Sequence, residues 1–556
     1  MDNVVNSEKK LKNKLAIPIT TIKQDHNNYD KCYFHKASST TENEIDNDYF
    51  KINVGIDSNN GEIKSTEIHL TKSEVLLFQE LMHVVRNSNC GTTLRVAGGW
   101  VRDKLRGDDS NDIDITLDNM MGESFAELVN KHLSGKQHQT HRIGVIQSNP
   151  EQSKHLETAT VKIFDLWIDF VNLRSETYTD NSRIPEIKIG TPLEDSLRRD
   201  LTINSLFYNI NENKIEDFTG KAITDLNLGI IRTPLPPLTT FLDDPLRVFR
   251  SIRFASRLYF KIDQELVEAA SNAVVKEAIK SKISHERIAK EFDGMLGGKR
   301  PDLAISLIYR FGIYDCLFSL PTSGLDHTKV HTEYREQSIY YCSQAMRLIE
   351  WGSQDEELST KRQRLLSALC IPFYGITYLN ANKKNKETSV IHYMIIEYLK
   401  LSNKDNDEIS LVLDTAYQIR PHVLKYKEEG PSSFSRKNVG LIIHKCGVLW
   451  RAALAIALIL DLPKYNFNHF NFPTLCDESN LIINHYNLFC DEIKEQDLIG
   501  IWKIKRMLNG KQVQDLLNRK PGEWLAPVVQ SILEWQLENP TLNENDCKKW
   551  LLETFK

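Results

Sequence analysis

The stretch from Leu94 to Ile115 constrains this chain more than any other. A short apolar run, Leu94-Arg95-Val96-Ala97, enters the doublet Gly98-Gly99. A helical turn, Trp100-Val101-Arg102-Asp103, follows, and the chain then reaches Ser110-Asn111-Asp112-Ile113-Asp114-Ile115. On a strand, side chains alternate faces, so Asp112 and Asp114 share one face while Ile113 and Ile115 point into a core. Two carboxylates on one face repel each other unless a cation sits between them. Two divalent metals held this way can activate a hydroxyl and stabilise a leaving phosphate. The glycines let a backbone approach anionic oxygens closely, just ahead of a helix N-terminus. Strand, helix and strand must therefore surround a phosphate cradle with a metal pair, which points to chemistry on a nucleoside triphosphate.

At 556 residues the chain is too long for one core, and two to four domains are expected. The longest apolar run, Ala452 to Leu460, is far short of the ~20 residues of a membrane span and reads as a buried helix. A formal net charge of -5 argues against a surface that binds nucleic acid everywhere, so any RNA contact must be local. The nine cysteines are scattered, with no CxxC pair, which fits buried reduced thiols. No long apolar segment near the N-terminus suggests a secretory signal. Lys9, Lys10, Lys12 and Lys14 stand among Asp2 and Glu8, with no arginine before Arg86, a poor match to a mitochondrial presequence.

Residues 1–65 are polar and read as a flexible extension with some strand near Phe50 to Val54. Thr71 to Glu74 opens a helix with an N-cap signal. His138, His141 and His155 lack ligand spacing and read as a solvated loop. Thr158 to Phe164 and Leu166 to Leu173 form a second strand pair. Asp169 lies inside the latter, either at an edge or salt bridge or as a third carboxylate of the metal site; an uncompensated acid in a central strand is expensive. Tyr178 to Pro192 reads as a loop. The dense polar run Glu194 to Leu206 puts Asn204 four residues after Asp200 on a helical pattern, and such a cluster suits ribose and triphosphate oxygens. Asp217 is equally an N-cap or a functional acid.

Pro234, Pro236 and Pro237 mark a break, and the main boundary is expected near 240. A helix opens at Asp243-Asp244-Pro245. Its Arg247, Arg250, Arg253 and Arg257 fall within about 120° of one another at 100° per residue. Four arginines without a lysine suit bidentate recognition of phosphates and bases better than a plain solvated face. Ser284 starts another helix, ending near Gly297-Gly298. Beyond 300 the pattern is helical, with loops at 380–388 and 428–435.

These residues resemble a class II tRNA nucleotidyltransferase, the CCA-adding enzyme, of the eukaryotic, fungal branch of the polymerase-beta-like superfamily. Five separated motifs in the family's order carry the resemblance: Leu94 to Asp103 with Asp112 and Asp114; Arg198-Arg199-Asp200 through Asn204; Asp217 to Gly220; Asp244-Pro245-Leu246-Arg247; and Ile283 to Arg287. It is strong from about 90 to 300. Gly510 to Gln512, Pro521 to Trp524 and Trp535-Gln536 resemble the family's C-terminal end.

The resemblance implies an α+β fold, a nucleotidyltransferase head of mixed sheet and helices followed by helical neck, body and tail. The corresponding division is 1–65 extension, 66–240 head, 241–300 neck, 301–440 body and 441–556 tail. It implies that Asp112 and Asp114, with Asp169 a third acid, hold two Mg2+ ions. Gly98, Gly99, Ser110 and Arg102 would line the triphosphate cradle. Arg199, Asp200 and Asn204 would orient ribose and phosphates. Asp244 and Arg247 would read the Watson–Crick edge of the incoming base, with Arg250 beside them. Asp243 stands where many bacterial members have glutamate. The segment of about 120–154 corresponds to the family's mobile loop.

The implied activity is addition of CCA to tRNA 3′ ends from CTP and ATP, by a monomer without a membrane partner, in the cytoplasm and also in mitochondria and nucleus. Two rivals remain on sequence alone: a template-independent poly(A) polymerase on the same head, and a non-catalytic RNA-binding paralogue. The intact Asp112 and Asp114 weigh against the latter.

Overall fold

The computed structural model describes residues 68–146, 158–179, 182–348, 358–463 and 477–555. The expectations for residues 1–65 and for His155 lie outside them. The chain divides into two compact units, 1–316 and 317–556.

In the first unit, α1 (Lys72–Ser88) starts as its sequence predicts. Thr71 and Glu74 form a reciprocal capping box, and Leu77, Phe78, Leu81, Val84 and Val85 face the core. Then come β1 (Leu94–Ala97), α2 (Gly99–Leu105), β2 (Ile113–Leu117) and α3 (Gly122–Gly135). The strands β3 (Gly144–Ile146), β4 (Thr158–Ile163), β5 (Leu166–Asn172), β8 (Phe207–Asn209) and β9 (Lys214–Glu216) complete a seven-stranded sheet of order β3-β4-β5-β2-β1-β8-β9. Only the β2–β5 pairing is parallel; every other neighbour is antiparallel. The head is therefore the expected mixed sheet with helices.

Glu80 ties α1 to α3. Its carboxylate accepts from Lys136 Nζ at 2.7 and 2.9 Å and lies 2.8 Å from His132 Nε2 and 3.7 Å from His83 Nδ1. Lys136 thus supplies a positive charge to the carboxylate at which the two histidines also meet.

The segment expected as a loop at 178–192 is largely a hairpin, β6 (Arg174–Thr179) with β7 (Ser182–Ile189). Its two strands form a sheet of their own, so Pro185 interrupts no long ladder. At the hairpin's base a Cβ on Gly190 would lie 2.6 Å from backbone atoms of Arg174 and Ser175, which only glycine avoids. A short helix α4 (Pro192–Leu197) and a 3-10 turn Thr202–Asn204 follow, so Asp200 and Asn204 do not share an α-helix as the spacing suggested. After α5 (Ala222–Leu228), a short parallel pair joins β10 (Ile230–Ile231) to β11 (Lys261–Ile262).

The helix expected to open at Asp243 is two helices. One, α6 (Pro237–Asp243), ends where Asp244 turns extended, and α7 (Leu246–Leu258) begins after Pro245. A proline keeps the residue before it out of the helical region, which explains the break. Next come α8 (Gln264–Ser271), α9 (Ala273–Lys282), α10 (His285–Leu296) and α11 (Pro301–Arg310).

The second unit is mainly helical. It has α12 (Tyr334–Arg347), α13 (Leu358–Cys370), α14 (Asn403–Glu429), α15 (Arg436–Cys446), α16 (Trp450–Asp461), α17 (Asp477–Glu495), α18 (Gly510–Leu517), α19 (Leu525–Glu538) and α20 (Glu544–Phe555). The expected loop at 380–388 lies within a second hairpin, β12 (Thr377–Asn380) with β13 (Lys386–Ser389), whose polar strands hid it. Arg436–Asp461 is the one stretch among the described residues long and apolar enough to cross a membrane. It is 67% buried in the unit and interrupted at Gly447 (φ 65°), as suits core helices. Near the C-terminus Leu508, Val513, Ile532, Trp535, Cys547 and Leu551 form a small core, with Trp535 stacked 5.6 Å from Trp550.

Candidate active site

The parallel pairing of β2 and β5 sets Asp114 directly beside Asp169, with Ile113 beside Ile168 and Ile115 beside Phe170. The isoleucines and Phe170 are buried, which fixes the register: a slip by one residue would turn them to solvent. Asp112 is exposed and precedes the first residue of β2 by one; its N–H donates to Ser110 Oγ at 3.4 Å. Asp169 accepts from Thr160 Oγ1, on the other neighbouring strand, at 2.6 Å. Burial, then the charges of Asp112 and Asp169, push the Asp114 carboxyl up to about 6, with Arg199 and Arg174 pulling the other way. Asp112 and Asp169 thus both bear on Asp114, and the all-oxygen donor set of the three acids fits a hard divalent cation.

The turn between β1 and α2 forms the next wall. Gly98 has φ 74°, and a Cβ there would lie 2.8 Å from Arg199 Nη1. Arg199 in turn donates to Asp195 Oδ2 at 2.7 and 3.1 Å and to the carbonyl of Asn204 at 3.2 Å. Asp195 is fully buried. Burial alone would raise its pKa, but the Arg199 and Arg198 guanidiniums hold it at about 2.

A chain of hydrogen bonds links four of the expected residues, Arg102, Asn204, Asp200 and Arg250, and an ion pair extends it to Glu291. Arg102 Nη1 donates to Asn204 Oδ1. Asn204 Nδ2 donates to Asp200 Oδ1 at 3.0 Å, and Arg250 Nε donates to Asp200 Oδ2 at 2.7 Å. Glu291 on α10 lies 3.7 Å from Arg250 Nη1 and accepts from Arg253 Nε at 2.6 Å. The Phe254 ring takes the guanidiniums of Arg102, Arg250 and Arg253 at 5.0, 5.7 and 4.6 Å from its centroid. Asp200 is buried, which would raise its pKa; Arg250 and Asn204 bring it to about 2.

Asp244 sits between α6 and α7. Its carboxylate accepts from Arg287 Nη2 at 2.9 Å and from the N–H of Leu246 at 3.2 Å. Arg247, 8% exposed, donates through Nη2 to the carbonyl of Arg198 at 2.6 Å, with Glu176 Oε2 3.7 Å away. Asp217 accepts from the N–H groups of Thr219, Gly220 and Ile223, the bland local role.

Six residues of this network carried no role in the sequence reading: Thr160, Glu176, Asp195, Phe254, Arg287 and Glu291. Asp195 and Arg287 lie inside the quoted runs, so their density of charge was the available signal. Thr160 and Glu291 become visible only through strand register and helix packing.

Residues 94–232 match the model of the poly A polymerase head domain. The mitochondrial CCA tRNA nucleotidyltransferase of Saccharomyces cerevisiae is 37% identical over 482 residues, spanning 81% of this chain and 86% of that one. The mitochondrial CCA tRNA nucleotidyltransferase of Candida glabrata is 34% identical, spanning 82% and 89%. Among solved structures, an apo form of a CCA-adding enzyme covers 87% of this chain and 97% of its own, with a TM-score of 0.59 at 20% identity, a likeness of fold. Identity to the fungal enzymes over about four fifths of this chain reaches well beyond the head matched at 94–232, and with it the chain belongs to the CCA tRNA nucleotidyltransferases.

Proposed function

We propose that this enzyme adds CCA to the 3′ end of tRNA, taking CTP and then ATP and releasing pyrophosphate. The observation that carries the reading is the register of Asp114 against Asp169, with Asp112 beside them, in a chain related over four fifths of its length to fungal CCA enzymes. Asp112 and Asp114 would hold divalent cations, two Mg2+ ions by the donor set, which when bound acidify a hydroxyl and neutralise charge on departing pyrophosphate.

The remaining steps belong to the chain's own residues. Asp169, fixed by Thr160, shapes the side of the site where the RNA 3′-hydroxyl attacks. The Gly98–Gly99 turn, Ser110, Arg102 and Arg199 receive the triphosphate. Asp200 and Asn204 orient the ribose, and their shared hydrogen bond holds both in one geometry. Asp244 and Arg247 present an acceptor and a donor to the base edge, where C and A differ, and Arg250 beside them braces the ribose pair through Asp200. In this division of labour, 66–240 is the catalytic head, 241–300 the base-reading neck, and 301–440 and 441–556 the body and tail that receive tRNA. We place a monomer in mitochondria, as the names of the yeast relatives suggest, with cytoplasmic and nuclear copies serving the same reaction.

The test is a tRNA transcript lacking CCA, incubated with labelled CTP alone and then with ATP added. Addition of two cytidines, then one adenosine, is expected. Incorporation from ATP alone with none from CTP would make the enzyme a poly(A) polymerase. Asp112→Ala should abolish both additions while tRNA binding stays within about twofold; substantial residual incorporation would sink the metal assignment.

A further inference from the structure

Every tyrosine, phenylalanine and tryptophan among those whose side chains are described is buried or partly buried, with one exception. Trp167 is 61% exposed. An isolated exposed leucine or valine is ordinary on a protein surface. A single indole standing in water while its aromatic counterparts are covered asks for an occupant, and its position names one.

Trp167 lies on β5 two residues before Asp169, so both side chains leave the same face of the strand. Ile168 and Phe170, on the other face, are fully buried. Along β5 the two positions are about 7 Å apart, the rise of two strand residues. Lys162 on β4 is the cross-strand neighbour of Trp167, as Thr160 is of Asp169. The carboxylate face therefore continues from Asp114 and Asp169 to an exposed indole beside a lysine. The tip of the β4–β5 hairpin is pinned by a 2.7 Å Lys162–Asp165 ion pair, which keeps the indole on a defined support.

An exposed aromatic face is what stacks single-stranded nucleic acid, because every base has a π-face. We propose that Trp167 is a stacking platform for the base of the 3′-terminal nucleotide of the RNA. The inference rests on the reading that the RNA hydroxyl reacts at Asp112, Asp114 and Asp169. A hydroxyl brought there leaves its own base within a nucleotide's reach, on the open side of the face. The incoming base is served elsewhere, by Asp244 and Arg247. A platform that stacks without reading base edges also suits a site whose 3′ base changes after each addition.

The experiment uses full-length enzyme and a tRNA transcript carrying 2-aminopurine as its 3′-terminal base. In wild type, binding should quench the probe; in Trp167→Ala the quench should be lost and the KM for tRNA should rise about tenfold, the factor one lost base–aromatic stack gives. The KM for CTP and the kcat should stay within twofold, and Trp167→Phe should restore most of both signals. An unchanged quench and tRNA KM in Trp167→Ala, or a rise in the CTP KM instead, would overturn the platform. If Asp112→Ala abolishes addition while Trp167→Ala changes nothing, the platform alone fails; if Asp112→Ala stays active, the reading of the site fails.

Discussion

At the scale of the residue, the clustered acids of the candidate site are placed against their own electrostatic preference. Asp114 is held beside Asp169, and burial together with the two neighbouring carboxylates raises it to about 6 from an ordinary value of 3.8. A carboxyl whose pKa is raised in the folded state favours folding only while protonated, so its ionised form opposes folding. Asp114→Asn should therefore stabilise the metal-free enzyme by on the order of 1–2 kcal/mol above pH 6, after discounting for solvent at a half-buried group. The gain should fade between pH 6 and 4 and vanish below, which denaturant melts in EDTA across that range would show; equal stability of the two proteins at pH 7 would contradict it. The alternation of Asp112 and Asp114 was legible in sequence, since strand geometry follows from Ile113 and Ile115. That Asp169 stands against Asp114 was not. Nothing local to either strand encodes a parallel pairing across more than fifty residues, and only the buried isoleucines on both strands set it.

At the scale of the element, α7 serves two ends of the site. Its first turn carries Arg247 to the Arg198 carbonyl, and its second carries Arg250 to Asp200. The arginine stripe was legible from helical spacing, but its partners were not, because they come from the segment between α4 and the 3-10 turn and from α10. The Asp200–Asn204 contact shows a different limit: the i−4 spacing read as helical, yet the two side chains meet through a hydrogen bond on a backbone that is no α-helix. The hairpins at 174–189 and 377–389 were missed because polar residues, and in the first Pro185, mask the strand alternation that a half-buried strand would show. Arg250→Ala leaves buried Asp200 without its guanidinium, a loss that typically costs about 3 kcal/mol or more when a buried pair is broken. Asn204 and Arg102 should loosen with it. The expected outcome is a CTP KM raised about tenfold or more with a tRNA KM little changed, read from steady-state addition kinetics; a rise confined to the tRNA KM would mean that the stripe is a phosphate clamp.

At the scale of the whole molecule, the net charge of -5 bears on how RNA is held. A chain with 75 acidic and 70 basic residues has little charge to spend on a long phosphate track. The tRNA dissociation constant should therefore depend weakly on salt, with a log–log slope of about 2–4, the release expected for a few phosphates rather than eight or ten. Titrations between 50 and 200 mM KCl measure it directly; a slope near 8 would require a basic track that the composition does not suggest. The helical character of the second unit was legible from periodicity, whereas the small core around Trp535 and Cys547 depends on which helices pack together. The parallel β2–β5 pairing has one more consequence, for descent. The two strands are fixed to each other by hydrogen bonds and buried side chains, not by the chain that runs between them. Insertions and deletions in the connection between α3 and β3 can accumulate without moving Asp114 relative to Asp169. A lineage can thus remodel that connection freely, and change what it offers a substrate, while the acids inherit an unchanged spacing.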